Sequence, residues 1–504
     1  MDRKWWTLLA TCVATFMLLL DITIVNVALP SIQRSLHASF SDLQWVVDAY
    51  SLMLAAVLLT AGSLGDRLGR RRVFTAGFAI FSGASLLCGL SNDATLLNLA
   101  RGLQGIGGSA MFATTLALIA QEFRGPERAT AFGIWGATIG GAVAVGPLIG
   151  GALTDAFGWE WIFFVNVPIG IAAIALTESK LAESRNPDAE PVDWPGVATF
   201  SAALFLLVYG LVRGNPDGWS SPHIVGALIA SAALMVVFVV IEWRSSHPML
   251  ELGLFRKPAF CGVSLVAFGL SASMFSMFLY ITIYVQDVLG YTPLQAGVRF
   301  LPITVVSFFV APVAGQLLNR IPARVFFGVG LTCVGTGLLL MRGLTPGSHW
   351  TALLAGFIVA GAGIGMTNPA IASTAVGVVT AAKAGMGSGI NNTFRQVGIA
   401  TGVAALGAVF QSTIQSKLPA QAPSGAAQGI ASAGPHVAAP GGAQAVHAAT
   451  AAFVSALNDL FLIGGIVALT AAALGLLLVR PRDLVPHGPP EGAVAQEAEE
   501  PVAA

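Results

Sequence analysis

The stretch "GSLGDRLGRR" (62–71) returns, altered, as "GQLLNRIPAR" (315–324). Gly62 matches Gly315, Leu64 matches Leu317, Arg67 matches Arg320 and Arg71 matches Arg324, while Asn319 replaces Asp66. Each copy is a polar turn between two long apolar runs. The offset is 253 residues, and it carries the first apolar run, 5–28, onto 258–281, where the ninth run lies. A unit of six runs is thus written twice, with two further runs between the copies.

The runs fix the class. Of 504 residues, 55% are hydrophobic and 10% charged, and the mean hydropathy is +0.77. A soluble chain carries roughly a quarter charged residues. Runs of about 20 apolar residues cross a ~30 Å hydrocarbon core as helices; a membrane barrel would show short alternating segments. Clusters of Gly, Pro and charge delimit fourteen spans, near 5–28, 45–64, 73–91, 94–120, 129–153, 160–178, 194–213, 223–243, 259–285, 294–318, 324–342, 350–374, 387–410 and 454–479. The expected fold is all-α and polytopic, with two six-helix bundles (spans 1–6 and 9–14) and spans 7 and 8 inserted. The expected domains are 1–178, an inserted segment 179–258, a second bundle 259–479 carrying an outer loop 411–452, and a disordered tail 480–504.

Lys and Arg set the orientation. With the N-terminus cytoplasmic, eighteen of them, including Arg3, Arg70, Arg72, Lys383 and Arg482, fall on inner turns and five on outer turns. That ratio also supports an even number of spans. Arg101 and Arg395 fall inside spans.

Two six-helix halves related by an axis along the membrane normal are a transporter design, with the substrate site between the halves near the midplane. No segment outside the membrane is large enough for a catalytic domain, so an enzyme is not expected. Cys12, Cys88, Cys261 and Cys333 all lie in apolar runs and read as small buried hydrophobes. No histidine set has metal-ligand spacing. "GIGG" lacks the strand and the GK[ST] of a phosphate loop, so ATP is not expected as the driver. Nothing points to nucleic acid.

Several stretches carry a resemblance. "GSLGDRLGRRRV" (62–73) resembles the loop 2–3 signature of the major facilitator superfamily, and "LARGLQGIGGSA" (99–110) is similar to its fourth-helix motif. "GAVAVGPLIGGAL" (141–153) resembles the antiporter motif of helix 5, with Ala142 where that motif has glycine. "LDITIVNVALP" (20–30), "LQWVVDAYSL" (43–52), "WIFFVNVPIG" (161–170) and "NNTFRQVGIATG" (391–402) are similar to the fourteen-helix drug:proton antiporter branch. The resemblance implies a monomeric, multi-pass protein of the bacterial cytoplasmic membrane with both termini cytoplasmic. It implies drug or metabolite as cargo, the proton gradient as driver and no cofactor. It makes 62–71 (Gly62, Asp66, Arg67, Gly69, Arg70, Arg71) a cytoplasmic latch that holds the outward-open state.

Asp21 lies inside the first span, about 13 Å below its outer end at 1.5 Å per residue. Arg101, on a span running the other way, lies about 10 Å below the same surface. In the resembled fold both helices line the central cavity, so the two are expected to pair there. Burial disfavours a charged carboxylate and a guanidinium favours it. The balance shifts when water or cargo enters, which makes Asp21 a proton and cation handle. Asn26, Asp48 and Arg395 are the other coupling candidates. Gly146, Pro147, Gly150 and Gly151 read as a hinge or seal in span 5. In span 13, Asn391, Asn392, Thr393, Arg395 and Gln396 form a polar face that needs a wet cavity or another helix. Met274, Phe275, Phe278 and Tyr284, with Asn391, are the expected pocket wall. An acid among apolar walls suits lipophilic cations. A dedicated exporter of one metabolite has the same fold, and a non-transporting sensor stays as a third reading.

Overall fold

The computed structural model describes residues 2–123, 125–185, 191–246, 248, 250–318, 320–378, 384–419, 422–423 and 425–480. Asn319, Lys383, Arg482 and nearly all of the expected tail lie outside the described residues. Every regular element among the described residues is helical. The first set of long helices is α1 Arg3–Leu36, α2 Phe40–Leu68, α3 Arg70–Gly89, α4 Ala94–Glu122, α5 Gly125–Phe157 and α6 Asn166–Lys180. Next come α7 Trp194–Asp217 and α8 Pro222–Arg244. The last set is α9 Pro258–Val288, α10 Pro293–Leu317, α11 Ala323–Leu340, α12 Leu354–Gly377, α13 Ala384–Lys417 and α14 Gly442–Leu478. One turn, Trp161–Phe164, leads into α6. A short helix, Ala426–Ala433, lies between α13 and α14.

Twelve of these helices are long and apolar enough, each alone, to cross a membrane, and α2 qualifies as a pair bent by 50°. α5 is continuous over 33 residues. Fourteen crossings are compatible with this. The helices outlast the apolar runs: α1 has 34 residues, about 50 Å at 1.5 Å per residue, against a ~30 Å core.

Short polar residues start the helices. Ser39 and Asp42 form a capping box on α2, and Thr292 and Gln295 form one on α10, with Pro293 in its first turn. The Asp93 carboxylate accepts from the Leu96 amide at the start of α4, and Asp193 accepts from Gly196 at the start of α7. Each satisfies an amide that the helix leaves orphaned. Between α2 and α3 the chain turns on Gly69, whose φ of +115° an L side chain rarely adopts. α9 holds two wide π turns, Ser271–Phe275 and Tyr284–Val288.

Packing repeats with the sequence. In the first half α2 packs on α4, α3 on α4 and α6, and α1 on α4, α5 and α6. In the second half α10 packs on α12, α11 on α12 and α14, and α9 on α12, α13 and α14. These are the same pairs under the shift that takes α1 to α9. The halves meet along α1–α9, α2–α13 and α5–α10, and α7 lies along this seam against α2 and α13 while α8 packs on α7.

The seam is closed on one face, the one away from the arginine-rich 67–72 turn. The Gln44 amide donates to the Val403 carbonyl at 3.0 Å, and Gln286 donates to the Val27 carbonyl at 2.6 Å. Arg34 meets Asp287 at 3.4 Å, and the Thr292 hydroxyl donates to Asp155 at 3.3 Å. The Phe40 ring lies 6.2 Å from Tyr280 and 6.0 Å from Phe410. Near that face two glycines let the halves touch backbone to backbone. A Cβ on Gly151 would stand 2.5 Å from the Pro293 carbonyl oxygen, and one on Gly297 would run into that of Pro147. On the arginine-rich face no hydrogen bond, ion pair or ring contact joins the halves among the described residues.

Candidate functional site: a buried charge network

Asp21 on α1 and Arg101 on α4 do meet. Arg101 Nη1 lies 2.5 Å from Asp21 Oδ2, and each residue is 1% exposed. Gln104, one turn after Arg101, completes the triangle: its amide nitrogen donates to Asp21 Oδ1 at 2.9 Å, and its oxygen accepts from Arg101 Nη1 at 2.6 Å. The same amide nitrogen reaches the Ser85 hydroxyl on α3 at 3.0 Å. Asn166 on α6 donates to that hydroxyl at 3.0 Å, which itself donates to the Phe163 carbonyl at 3.1 Å. Arg101 Nε donates to the Val46 carbonyl of α2 at 2.9 Å. The guanidinium lies 4.4 Å from the Tyr50 ring centroid and 5.8 Å from that of Phe163. Charge, hydrogen bonds and ring faces are all provided for, which a buried ion pair requires.

This corrects one expectation. The pair was expected to face the cavity between the halves. It is sealed inside the first half: both residues are 1% exposed, and the groups that satisfy them, on α2 and α4 and behind these on α3 and α6, all belong to that half. Asn26 takes no part: its amide donates back to the Ile22 carbonyl one turn earlier on α1, at 2.8 Å.

Asp48 is fully buried in α2, and neither carboxylate oxygen has a hydrogen-bond partner. It lies one turn after Gln44, which reaches across the seam to Val403, so it shares the seam side of the helix. Arg395 on α13 donates through Nη2 to the Asn368 side chain of α12 and lies 5.7 Å from the Phe275 ring centroid.

The 62–71 turn is held by its own half and by the chain just beyond α6. Asp66 accepts from Arg70 Nε at 2.9 Å. The Arg70 amide donates to the Ser184 carbonyl at 2.9 Å and the Arg71 amide to Glu183 at 3.1 Å. Arg71 also donates to the Leu181 carbonyl and stands 3.5 Å from Glu178. Arg67 is exposed, and Gly62 has only Ala113 near its missing Cβ. In α5 the missing side chains of Gly146 and Gly150 leave room for Thr23 and Ile24 of α1. Pro147 and Gly151 lie at the seam with α10.

Of the expected pocket wall, Phe275 and Phe278 are half-buried, with ring centroids 6.3 Å apart. Met274 and Tyr284 are packed into the second half, and Asn391 is buried and donates to the Val263 carbonyl at 3.3 Å. Those three are buried, and of the other two Phe278 packs on Phe300 of α10, with ring centroids 5.7 Å apart. Sequence reasoning missed Ser85, Asn166, Tyr50, Asn368, Glu178 and Glu183. Ser85 and Asn166 did leave a signal, a polar side chain inside an apolar run.

The sequence profile of the Major Facilitator Superfamily matches residues 11–403. The chain belongs to that superfamily. Within it, the chain is 38% identical over 404 residues to "Multidrug resistance protein Stp" of Mycobacterium tuberculosis, covering 80% of this chain and 75% of that one. It is 33% identical over 491 residues to "Tetracenomycin C resistance and export protein" of Streptomyces glaucescens, covering 94% and 91%. It is 37% identical over 413 residues to "Puromycin resistance protein pur8" of Streptomyces alboniger, covering 81% and 82%. A solved structure of a bacterial homologue of the human lysosomal transporter Spinster, inward-facing and unoccupied, superposes with a TM-score of 0.64 at 17% identity, covering 96% of this chain and 99% of that one. That likeness speaks for the superfamily's fold.

Proposed function

We propose that this protein exports drugs or antibiotics across the bacterial cytoplasmic membrane by alternating access, in exchange for protons. The observation that carries the reading is the buried Asp21–Arg101–Gln104 network, set in one of two repeated halves that close on one face alone. Relatives over most of the chain's length are named for multidrug, puromycin and tetracenomycin C resistance. Both termini and the arginine-rich turns lie on the cytoplasmic side by the positive-inside rule, so the closed face is the outer one and the conformation faces inward. The protein works as a monomer without cofactor.

Asp21 and Asp48 are the proton-carrying groups. A carboxyl buried with no partner, as Asp48 is, costs least when it holds a proton. Opening the outer seam wets Asp48. A shift of α1 against α4 breaks the Asp21 network and lets the freed Asp21 carboxylate take up a proton. One charge crossing 100 mV supplies about 2.3 kcal/mol and each pH unit about 1.4 kcal/mol. One proton thus supports roughly a hundredfold gradient of a neutral compound, at about 1.4 kcal/mol per tenfold.

Everted vesicles test this. On addition of a xanthene dye that it carries, rhodamine 6G or fluorescein, wild type releases protons and Asp21→Asn does not. Equal release from both removes Asp21 from the mechanism. A dedicated exporter of one compound is the second reading, favoured by the relative that is named a tetracenomycin C export protein and matches over 94% of the chain. Growth against a panel of unrelated antibiotics separates them: a dedicated exporter protects against one structural class.

A further inference from the structure

Arg395 is a half-buried cation with no anion beside it among the described residues. Its protein partners are an uncharged amide, Asn368, and the Phe275 ring. Among the described residues no carboxylate lies within ion-pair distance of it. An intramembrane charge calls for a partner, and the other one in these halves, Arg101, has a carboxylate and two further acceptors.

Another conformation does not supply the missing anion from the first half. Arg395 is about 16 Å along α13 from its arginine-rich end, at 1.5 Å per residue. The carboxylates inside the first half's helices, Asp21 and Asp48, are about 27 Å and about 30 Å from that end of theirs. Sliding or rocking does not bring either to the same level, and Asp21 is already engaged.

The surroundings of Arg395 are those of a receiving site. Arg395, Asn368, Phe275 and Phe278 are all half-buried. Arg395, with Asn368 and Phe275 beside it, lies about two turns to the arginine-rich side of Val403, where α13 first bonds across the seam, so it stands where no hydrogen bond or ion pair joins the halves among the described residues. Phe275 and Phe278 offer two neighbouring ring faces. A guanidinium offers a planar fork of donors that matches a carboxylate.

We infer that Arg395, with Asn368 and the Phe275–Phe278 pair, receives the acidic group of the cargo, a flat apolar molecule bearing a carboxylate or an acidic phenol or enol. This rests on the export reading and narrows its substrate class, away from the lipophilic cations that the sequence favoured. The loaded cleft is then uncharged at this level, and the empty one holds a lone cation.

The test uses two xanthene dyes of opposite charge, fluorescein and rhodamine 6G, in energised everted vesicles holding the full chain. Wild type accumulates fluorescein. Arg395→Gln lowers its initial rate about tenfold to a hundredfold, the loss of one charge-assisted contact, while rhodamine 6G uptake, if present, changes less than about twofold. Arg395→Lys recovers part of the fluorescein rate. Unchanged fluorescein uptake in Arg395→Gln overturns the inference. So does an equal fall for both dyes in both variants, which marks a structural arginine. If wild type moves rhodamine 6G and not fluorescein, the acid site falls and the export reading stands. If it moves neither, the export reading falls and takes the acid site with it.

Discussion

In the first half an arginine and a carboxylate meet at 2.5 Å and share Gln104, Ser85 and Asn166 around them. In the second half, built on the same helix pairs, Arg395 has an asparagine and a ring. The helix scaffold is common, and the charge is closed in one copy and open in the other. A repeated fold therefore does not repeat chemistry. On the reading proposed above, one half holds a proton and the other meets cargo.

Arg101→Ala breaks the comparison hardest, because it leaves Asp21 buried beside no cation. Removing one partner of a buried pair costs about 3–5 kcal/mol. Thermal unfolding in detergent should show a large fall in midpoint, and an unchanged midpoint would mean that the network holds nothing together. Asn368→Asp works in the opposite direction, giving Arg395 the counter-ion it lacks and making the second half resemble the first. Export of an acidic dye should fall at least about tenfold, with no loss of thermal stability; undiminished export would show that Arg395 does not need to be free. Ser85→Ala removes the hydroxyl that Gln104 and Asn166 both use. A cost of about 1–3 kcal/mol is expected, read from denaturant or thermal unfolding. Smallest is Asp287→Asn at the outer seam, where Arg34 is largely exposed. A pair of that kind contributes about 0.2–1 kcal/mol, so stability should hardly move while crosslinking between cysteines placed at 155 and 292, across the same seam, reports a slightly looser seam.

The helices were legible because a membrane span needs a long apolar run, and the repeat was legible because one polar turn was copied with its arginines. The Asp21–Arg101 meeting followed from matching depth together with the helix neighbours that the resemblance implies. Its direction did not. Which side of a helix a carboxylate turns to depends on Ser85 and Asn166, which come from two other helices and show no spacing relative to Asp21. The isolation of Arg395 was equally invisible, since lacking a neighbour is a property of the packed chain. The π turns of α9 are a change in hydrogen-bond register, and composition carries no trace of that.

Those two wide turns give α9 more residues per turn than a regular helix at each of two places. Each wide turn takes up about one residue more than a regular turn. If one residue were lost from 271–275, the turn would relax into an ordinary one, and Tyr280 and Gln286 would keep their aim at the Val403 and Val27 carbonyls. A residue lost from regular helix, with both wide turns kept, swings everything beyond it by about 100°. The outer closure thus has slack at two places in α9, and a deletion elsewhere in the same apolar run would point the door away from its frame.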